Sequence, residues 1–250
     1  MFVETLRLVV ALNTVAAGVA TLPAAEHALL AGGLVMHATD PDEALGLGDG
    51  AHTLRVALTR AVRAGSTDAG GRPPAWAVAL PRHGRAGGLR GPRELTARAL
   101  ELGAPVALPH TGGAAWLGLP LGHPEPEAVQ WRVWRADRPV IEATPSEAAR
   151  SFTAALADAA EALTDLGVTG GTRPDSTLSV RLGPAYPSSS QVLLDRALVV
   201  HAACVTALDQ PETVLHSHGV LTRERVLAPL VDTCLEAVQA ACSWPLHAMR

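Results

Sequence analysis

The sequence contains no lysine; all 20 of its basic residues are arginine. That absence excludes a Walker-type phosphate loop and any mechanism that runs through a lysine Schiff base on this chain. Aromatic residues are only 3% of the 250, while hydrophobic residues reach 48%, so the core has to be built mostly from Ala, Val and Leu. Charged residues are 18% and the formal net charge is −4, against roughly 25% charged residues in an average domain. This balance excludes a disordered chain and a generally basic nucleic-acid binder, and no nucleic acid is expected as a partner. Cysteine is scarce and odd in number: Cys204, Cys234 and Cys242. Such a set is no disulfide framework, and it fits small buried side chains in a reducing cytoplasm. Gly and Pro, at 23 and 19, exceed average usage but stop short of low complexity. A chain of 250 residues buries roughly 70–75% of its unfolded surface and needs no covalent or metal staples.

Long apolar runs are missing too. Nowhere do ~20 strongly apolar residues follow one another, so no membrane span is expected. Residues Leu8 to Ala25 are uncharged, follow Arg7 and end in the small pair Ala24-Ala25, which leaves a signal peptide as one reading. The other reading is a helix of the fold. Glu4 offsets Arg7, Asn13, Thr14 and Thr21 dilute the stretch, and Leu8, Leu12, Val15 or Ala16, Val19 and Leu22 recur at helical spacing.

The chain divides by character into a helical region at 1–65, a sheet region at 75–135 and a second helical region at 144–245, within a single domain over 1–250. One or two helices are expected over 4–31, with a kink or restart at Pro23 and a stop at Gly32-Gly33. Asp40-Pro41-Asp42-Glu43 reads as a helix cap with an acidic first turn. A helix is expected over 51–64 with Leu54, Ala57, Leu58, Ala61 and Val62 on one face, followed by a Gly/Pro linker at 65–74. Ala75 to Leu80, Val106 to Leu108, Ala115 to Leu119 and Gln130 to Trp134 read as four strands. A helix from Pro92 to Leu102, stopped by Gly103, separates the first two. That arrangement predicts one βαβ-like unit with parallel strands and a right-handed crossover, then an antiparallel meander. Trp131 and Trp134 are three apart and fall on opposite faces, so at least one is expected to face away from the main helix-covered core.

In the last region Thr144-Pro145-Ser146-Glu147 is a capping box. It opens a helix that turns Phe152, Ala155, Leu156, Ala159 and Leu163 inward and ends at Gly167. A Pro/Gly-rich connection is expected over 169–187. Ser188 to Gln191 is a second capping box, and Val192, Leu194 or Asp195, Leu198, Val199, Ala202, Val205 and Thr206 recur along the helix that follows. The final helix is expected from Thr222 to Ser243, with Pro229 forcing a kink or a fresh start.

No nucleophile elbow, His-Glu-x-x-His or Cys-x-x-Cys occurs. Gly46, Gly48 and Gly50 alternate beside Asp49; an acidic loop is wrong for phosphate, and it reads as flexible linker. The most suggestive segment is the loop 81–92 between a strand and a helix. Its backbone amides, notably at Gly87 and Gly88, could converge on an anion with help from the helix dipole. Arg82, Arg85, Arg90 and Arg93 add fixed positive charges suited to phosphate or carboxylate. The carboxyl end of a parallel strand is also where open α/β sheets take ligands. The bland alternative is a solvated loop in which Gly simply supplies the turn. A second set, His201, Cys204, His216, His218 and Cys234, holds zinc-ligand types at a spacing that matches no zinc pattern, so no metal and no cofactor is expected. Asp209, Glu212, Glu224 and Asp232 read as a solvated acidic face.

Ala79-Leu80-Pro81, the glycine loop ending Leu89-Arg90-Gly91-Pro92, Leu95, Ala99-Leu100 and Trp131-Arg132-Val133 carry a resemblance. From Trp76 through Trp134 the chain resembles an uncharacterised family of actinobacterial proteins, and its helical last third is similar in character. Family members often have an acidic residue in the glycine loop where this chain has Arg85. The resemblance implies a soluble protein without a described activity and supplies no catalytic residue.

These observations predict an α+β fold, a small mixed sheet packed between N- and C-terminal helices. With no catalytic constellation in view, the first functional expectation is a cytoplasmic, non-enzymatic binding or protein-interaction domain, with another copy of itself or another protein as partner. The alternative is an enzyme or sensor holding a small phosphorylated or carboxylated ligand at loop 81–92.

Overall fold

The computed structural model describes residues 1–31, 35–64, 75–120, 128–165, 178–209 and 217–249, with backbone alone at 120 and 217–222. Gly32-Gly33, the linker 65–74, Gly167, the stretch 169–177, Glu212 and His216 lie outside the described residues. Two compact units emerge. The first comprises Met1–Glu142, Arg181–Pro187 and Cys242–Arg250, and the second Ala143–Val180 and Ser188–Ala241.

The first unit is α+β. Its elements in order are α1 (Phe2–Ala16), α2 (Leu22–Leu29), β1 (Val35–Thr39), β2 (Ala51–Thr53), α3 (Leu54–Ala64), β3 (Trp76–Ala79), α4 (Arg93–Leu102), β4 (Val106–Pro109), β5 (Gly113–Pro120) and β6 (Ala128–Ala136). The helices obey local chemistry. α2 restarts at Pro23, capped by the Thr21 hydroxyl. α4 stops where Gly103 takes the left-handed conformation, φ +56°.

All six strands form one sheet in the order β2-β1-β6-β5-β4-β3, two more than expected. β1 and β2 lie in the region expected to be helical. β1 has five residues and β2 three, largely exposed, too short for a period-2 pattern to stand out. The expected antiparallel meander is present as β4-β5-β6. The expected parallel βαβ unit is not, because β3 and β4 are antiparallel. Val106 opens β4 directly opposite Ala79, the last residue of β3. The ten residues of α4 return the chain to the end of the sheet it left, whereas a parallel crossover must travel back the full strand length. The parallel pair is β1 with β6.

Both faces of the sheet are covered. Trp116 and Trp131 share one face, their rings edge to face at 6.5 Å, and α1 packs against β3, β4 and β5. On the other face Trp134 joins Ala115, Leu117, Val106 and Leu108 beneath Leu95 and Ala99 of α4 and Leu89 of the preceding loop. Trp131 and Trp134 therefore do point opposite ways, yet both are buried. Trp134 thus faces away from the α1-covered side, and α4 closes the face it points to.

Among the described residues the edge strand β3 has no further strand beside it, and an open edge invites pairing with other chains. Side chains occupy it instead. Asn13 of α1 accepts from the Trp76 amide at 2.7 Å and donates to the Trp76 carbonyl at 2.9 Å. The Val78 amide donates to the Ser243 hydroxyl at 3.1 Å. Asn13 also donates to the Tyr186 hydroxyl at 2.7 Å, which donates to the Cys242 carbonyl at 2.9 Å. His110 adds a ring contact to the Ser243 carbonyl at 2.8 Å and stands edge-on to Trp244.

The second unit is helical: α5 (Pro145–Asp165), α6 (Ser188–Asp209) and α7 (Ser217–Ser243, its last two residues in the first unit). The capping box opens α5 as expected. The Thr144 amide donates to the Glu147 carboxylate at 2.9 Å and the Glu147 amide to the Thr144 hydroxyl at 3.4 Å. The Thr144 hydroxyl also donates to the Glu147 carboxylate at 2.7 Å, and this bond, followed by that from the Thr144 amide, pulls the Glu147 pKa below the ordinary carboxylate value. α5 buries Phe152 and Ala159, while Ala155, Leu156 and Leu163 are half-buried. α6 buries Leu193, Leu194, Ala197, Leu198 and Cys204 and leaves Val192 and Val199 exposed. A helix apolar on most sides gives periodicity little to choose between. α7 starts at Ser217 and runs unbroken through Pro229, so no fresh start occurs there. Pro229 costs the helix one hydrogen bond and crowds the carbonyl four residues before it, without ending it.

Candidate functional site

The loop 81–92 is a hairpin. Arg82 and Arg85 exchange both backbone hydrogen bonds, at 2.9 and 2.8 Å, around a turn at His83-Gly84. The Leu80 amide donates to the Gly87 carbonyl at 3.2 Å. Gly87 has φ +57°, and a Cβ there would lie 2.1 Å from the Leu80 carbonyl oxygen. Close approach of two backbone arms accounts for that glycine. The Leu89 amide is committed to the Ala86 carbonyl, and the Gly88 carbonyl accepts from Val140. Arg85, Arg90 and Arg93 are exposed and Arg82 is half-buried. Because β3 is antiparallel to β4, the loop does not sit at the carboxyl end of a parallel strand, and that part of the expectation is corrected.

The carboxyl end of a parallel strand does carry a cleft, on β1. There Asp40 follows Thr39, and its carboxylate, 1% exposed, accepts from the amides of Ala44, Leu45 and Leu47 at 2.7, 2.8 and 3.2 Å. Asp40 thus caps a loop and not the helix expected after it. Buried Leu45 anchors this loop. Gly46, Gly48 and Gly50 hold φ of +62°, +75° and +101°, each with open space where a Cβ would be. Glycine is needed there for its backbone conformation. The expected flexible linker is a shaped wall.

The cleft has a volume of about 400 Å³. It lies between Thr39, Asp40 and Asp49 on the β1 side and Leu119, Gln130 and Arg132 on the sheet. Pairing of β1 with β6 sets Thr39 opposite Arg132, and Gln130 reaches the Thr39 hydroxyl at 3.5 Å. The Arg132 guanidinium lies 4.4 Å from the centre of the Trp134 ring, a cation–π distance. One of its terminal nitrogens is 3.6 Å from the exposed Glu94 carboxylate. Its Nε is buried and has no hydrogen-bond partner. That unmet nitrogen is costly, while the side chain as a whole keeps 32% of its surface exposed, the part through which a ligand oxygen could meet the guanidinium. None of Arg82, Arg85, Gly87, Gly88, Arg90 and Arg93 lines this cleft. Sequence reading missed the site because its wall and its floor are about 90 residues apart. The available signal was Asp40-Pro41 followed by three alternating glycines.

The other candidate clusters lie in the second unit. His201 and Cys204 stand three apart on α6, Cys234 lies on α7, and the ring of His218 is not among the described side chains. Burial pushes the thiols of Cys204 and Cys234 up to about 11 and about 12, which keeps them protonated and unreactive at neutral pH. Among the described residues, His, Cys, Asp and Glu form no group of three able to hold a metal ion. Asp209 ends α6 and Glu224 and Asp232 lie on α7, with Asp209 and Glu224 exposed.

Residues 146–239 match a family model described as Rv1486c-like protein, C-terminal domain. A match to an uncharacterised family thus exists, but it falls on the helices of the second unit and not on 76–134. No curated protein and no solved structure matches the chain. The cleft and the loop 81–92 lie outside the matched residues, so the match assigns no role to either.

Proposed function

We propose that the chain is a binding protein whose first unit holds a small acid-bearing molecule in the cleft at the carboxyl end of β1. The observation that carries this reading is the part-exposed Arg132 side chain that lines the cleft, its guanidinium set over Trp134 beside Gln130 and Thr39. Binding without catalysis follows from Asp40. Its two oxygens are engaged by three backbone amides, so they hold the loop in shape and are not turned toward a substrate. This keeps the acid-ligand idea and moves it from loop 81–92 to β1. A thermal-shift screen of small carboxylates and phosphates tests it. A ligand at 100 times its Kd adds roughly 2.7 kcal/mol, so at least one compound raises the melting temperature of the natural protein and leaves Arg132→Gln unmoved. No shift with any compound, or equal shifts in both proteins, overturns the reading.

A second reading, association of α6 with another copy, is favoured by Val192 and Val199, 57% and 44% exposed. α6 and residues 223–243 of α7 are long and apolar enough to cross a membrane by length and composition; 28% of the qualifying α6 window and 50% of the α7 window is buried within the fold. With Asp195 and Arg196 exposed in mid-helix, we read α6 as a protein-facing surface of a cytoplasmic protein. Sedimentation velocity should show a dimer that Val199→Asp dissociates; a natural protein that stays monomeric at high concentration removes this reading.

A further inference from the structure

The charges around the cleft narrow its ligand, granted that the cleft binds one. Arg132 is the cation of the lining, and Asp40 and Asp49 are its acids. Glu94 stands 3.6 Å from the same guanidinium. A phosphate dianion would meet one guanidinium among three carboxylates, an unfavourable balance. A plain carboxylate meets the same excess of negative charge. A molecule that carries an ammonium group beside its carboxylate does not. Its carboxylate satisfies Arg132 and its ammonium answers the acids. Asp40 cannot be the main partner for that ammonium, because three backbone amides already engage its two oxygens. Asp49 can, since it lies exposed on the glycine loop that forms the wall. Leu119, Pro41 and Ala51 supply apolar surface in the same cleft, and about 400 Å³ is at the lower end of the range for small-molecule sites.

We infer that the cleft binds a zwitterionic α-amino acid with a small aliphatic side chain, its carboxylate on Arg132 and its ammonium on Asp49. Two charged contacts and an apolar wall divide the recognition, so removing either charged group of the ligand leaves the opposite protein charge unmatched.

Isothermal titration of the full chain tests this with L-leucine, 4-methylpentanoate, which lacks the amine, and 3-methylbutylamine, which lacks the carboxylate. L-leucine should bind at least about tenfold more tightly than either half-molecule, the size of one lost charged hydrogen bond. Asp49→Asn should weaken L-leucine and, by removing a like charge, strengthen 4-methylpentanoate, so that the two bind about equally. Arg132→Gln should abolish the binding of both. If 4-methylpentanoate binds as tightly as L-leucine and Asp49→Asn changes nothing, the zwitterion is wrong while the acid-binding cleft stands. If 3-methylbutylamine matches L-leucine, or if no compound binds, the inference is overturned. Binding that survives Arg132→Gln overturns both this inference and the cleft on which it rests.

Discussion

Replacing Asn13 with leucine lowers the unfolding free energy by about 4 kcal/mol, the sum expected when several buried polar groups lose their partners at roughly 1–3 kcal/mol each. Asn13 is fully buried and spans the edge of β3 with both ends of its amide, while a third bond reaches Tyr186. Leucine has the same branching and heavy-atom count and a better helix propensity, so cavity formation and helix weakening are not the cause, and the overpacking from its bulkier methyls adds to the loss. What remains is a buried Trp76 amide and carbonyl without water or partner. Tyr186→Phe removes one arm of the network and should cost roughly 1–2 kcal/mol. Urea unfolding at equilibrium measures both, and a loss below about 1 kcal/mol for Asn13→Leu would show that the edge finds other donors and acceptors.

Acidification removes up to about 3 kcal/mol through His110, at 1.36 kcal/mol per unit of pKa difference. Burial drives its pKa down from 6.5 to about 4, with Arg138 and His247 pushing the same way against the contact with the Ser243 carbonyl. The folded pKa is depressed, so between pH 6.5 and pH 4 the unfolded chain holds more protons than the folded one, and stability falls as pH falls. The contribution is fully present above pH 6.5 and is lost on the way down to about pH 4. His110→Gln keeps a donor for the Ser243 carbonyl and cannot titrate. The difference in unfolding free energy between the natural protein and this variant, measured at pH 7, 5.5 and 4.5, isolates the histidine because the carboxylates titrate in both. A constant difference across that range would refute the assignment.

The sequence revealed features whose causes are local. The Thr144 to Glu147 capping box needs four consecutive residues, and α5 starts where they stand. β3 to β6 are short apolar runs between turn residues, and all four are present. What escaped notice depends on partners far along the chain. β1 is a strand because Val35 to Thr39 lie beside Ala128 to Arg132. The direction of β4 against β3 rests on where α4 delivers the chain. In the helical pattern of α1, Asn13 read only as dilution of an apolar stretch, although it closes a sheet edge 63 residues away. Arg132 belonged to a strand motif, and its tie to Thr39 and the glycine wall exists only once β1 and β6 are side by side. The glycines of the loop 81–92 and of the wall illustrate the same limit. In one case glycine admits a neighbouring backbone, in the other it supplies a positive φ, and composition does not separate the two.

The Ser243 hydroxyl that receives the Val78 amide is 165 residues further along the chain. On a ribosome adding roughly 5–20 residues per second, that part of the β3 border stays bare for roughly ten to thirty seconds after the strand itself has emerged. A nascent chain is therefore exposed to mispairing at this one place, and an early stop before Ser243 would leave the border permanently open and prone to aggregate.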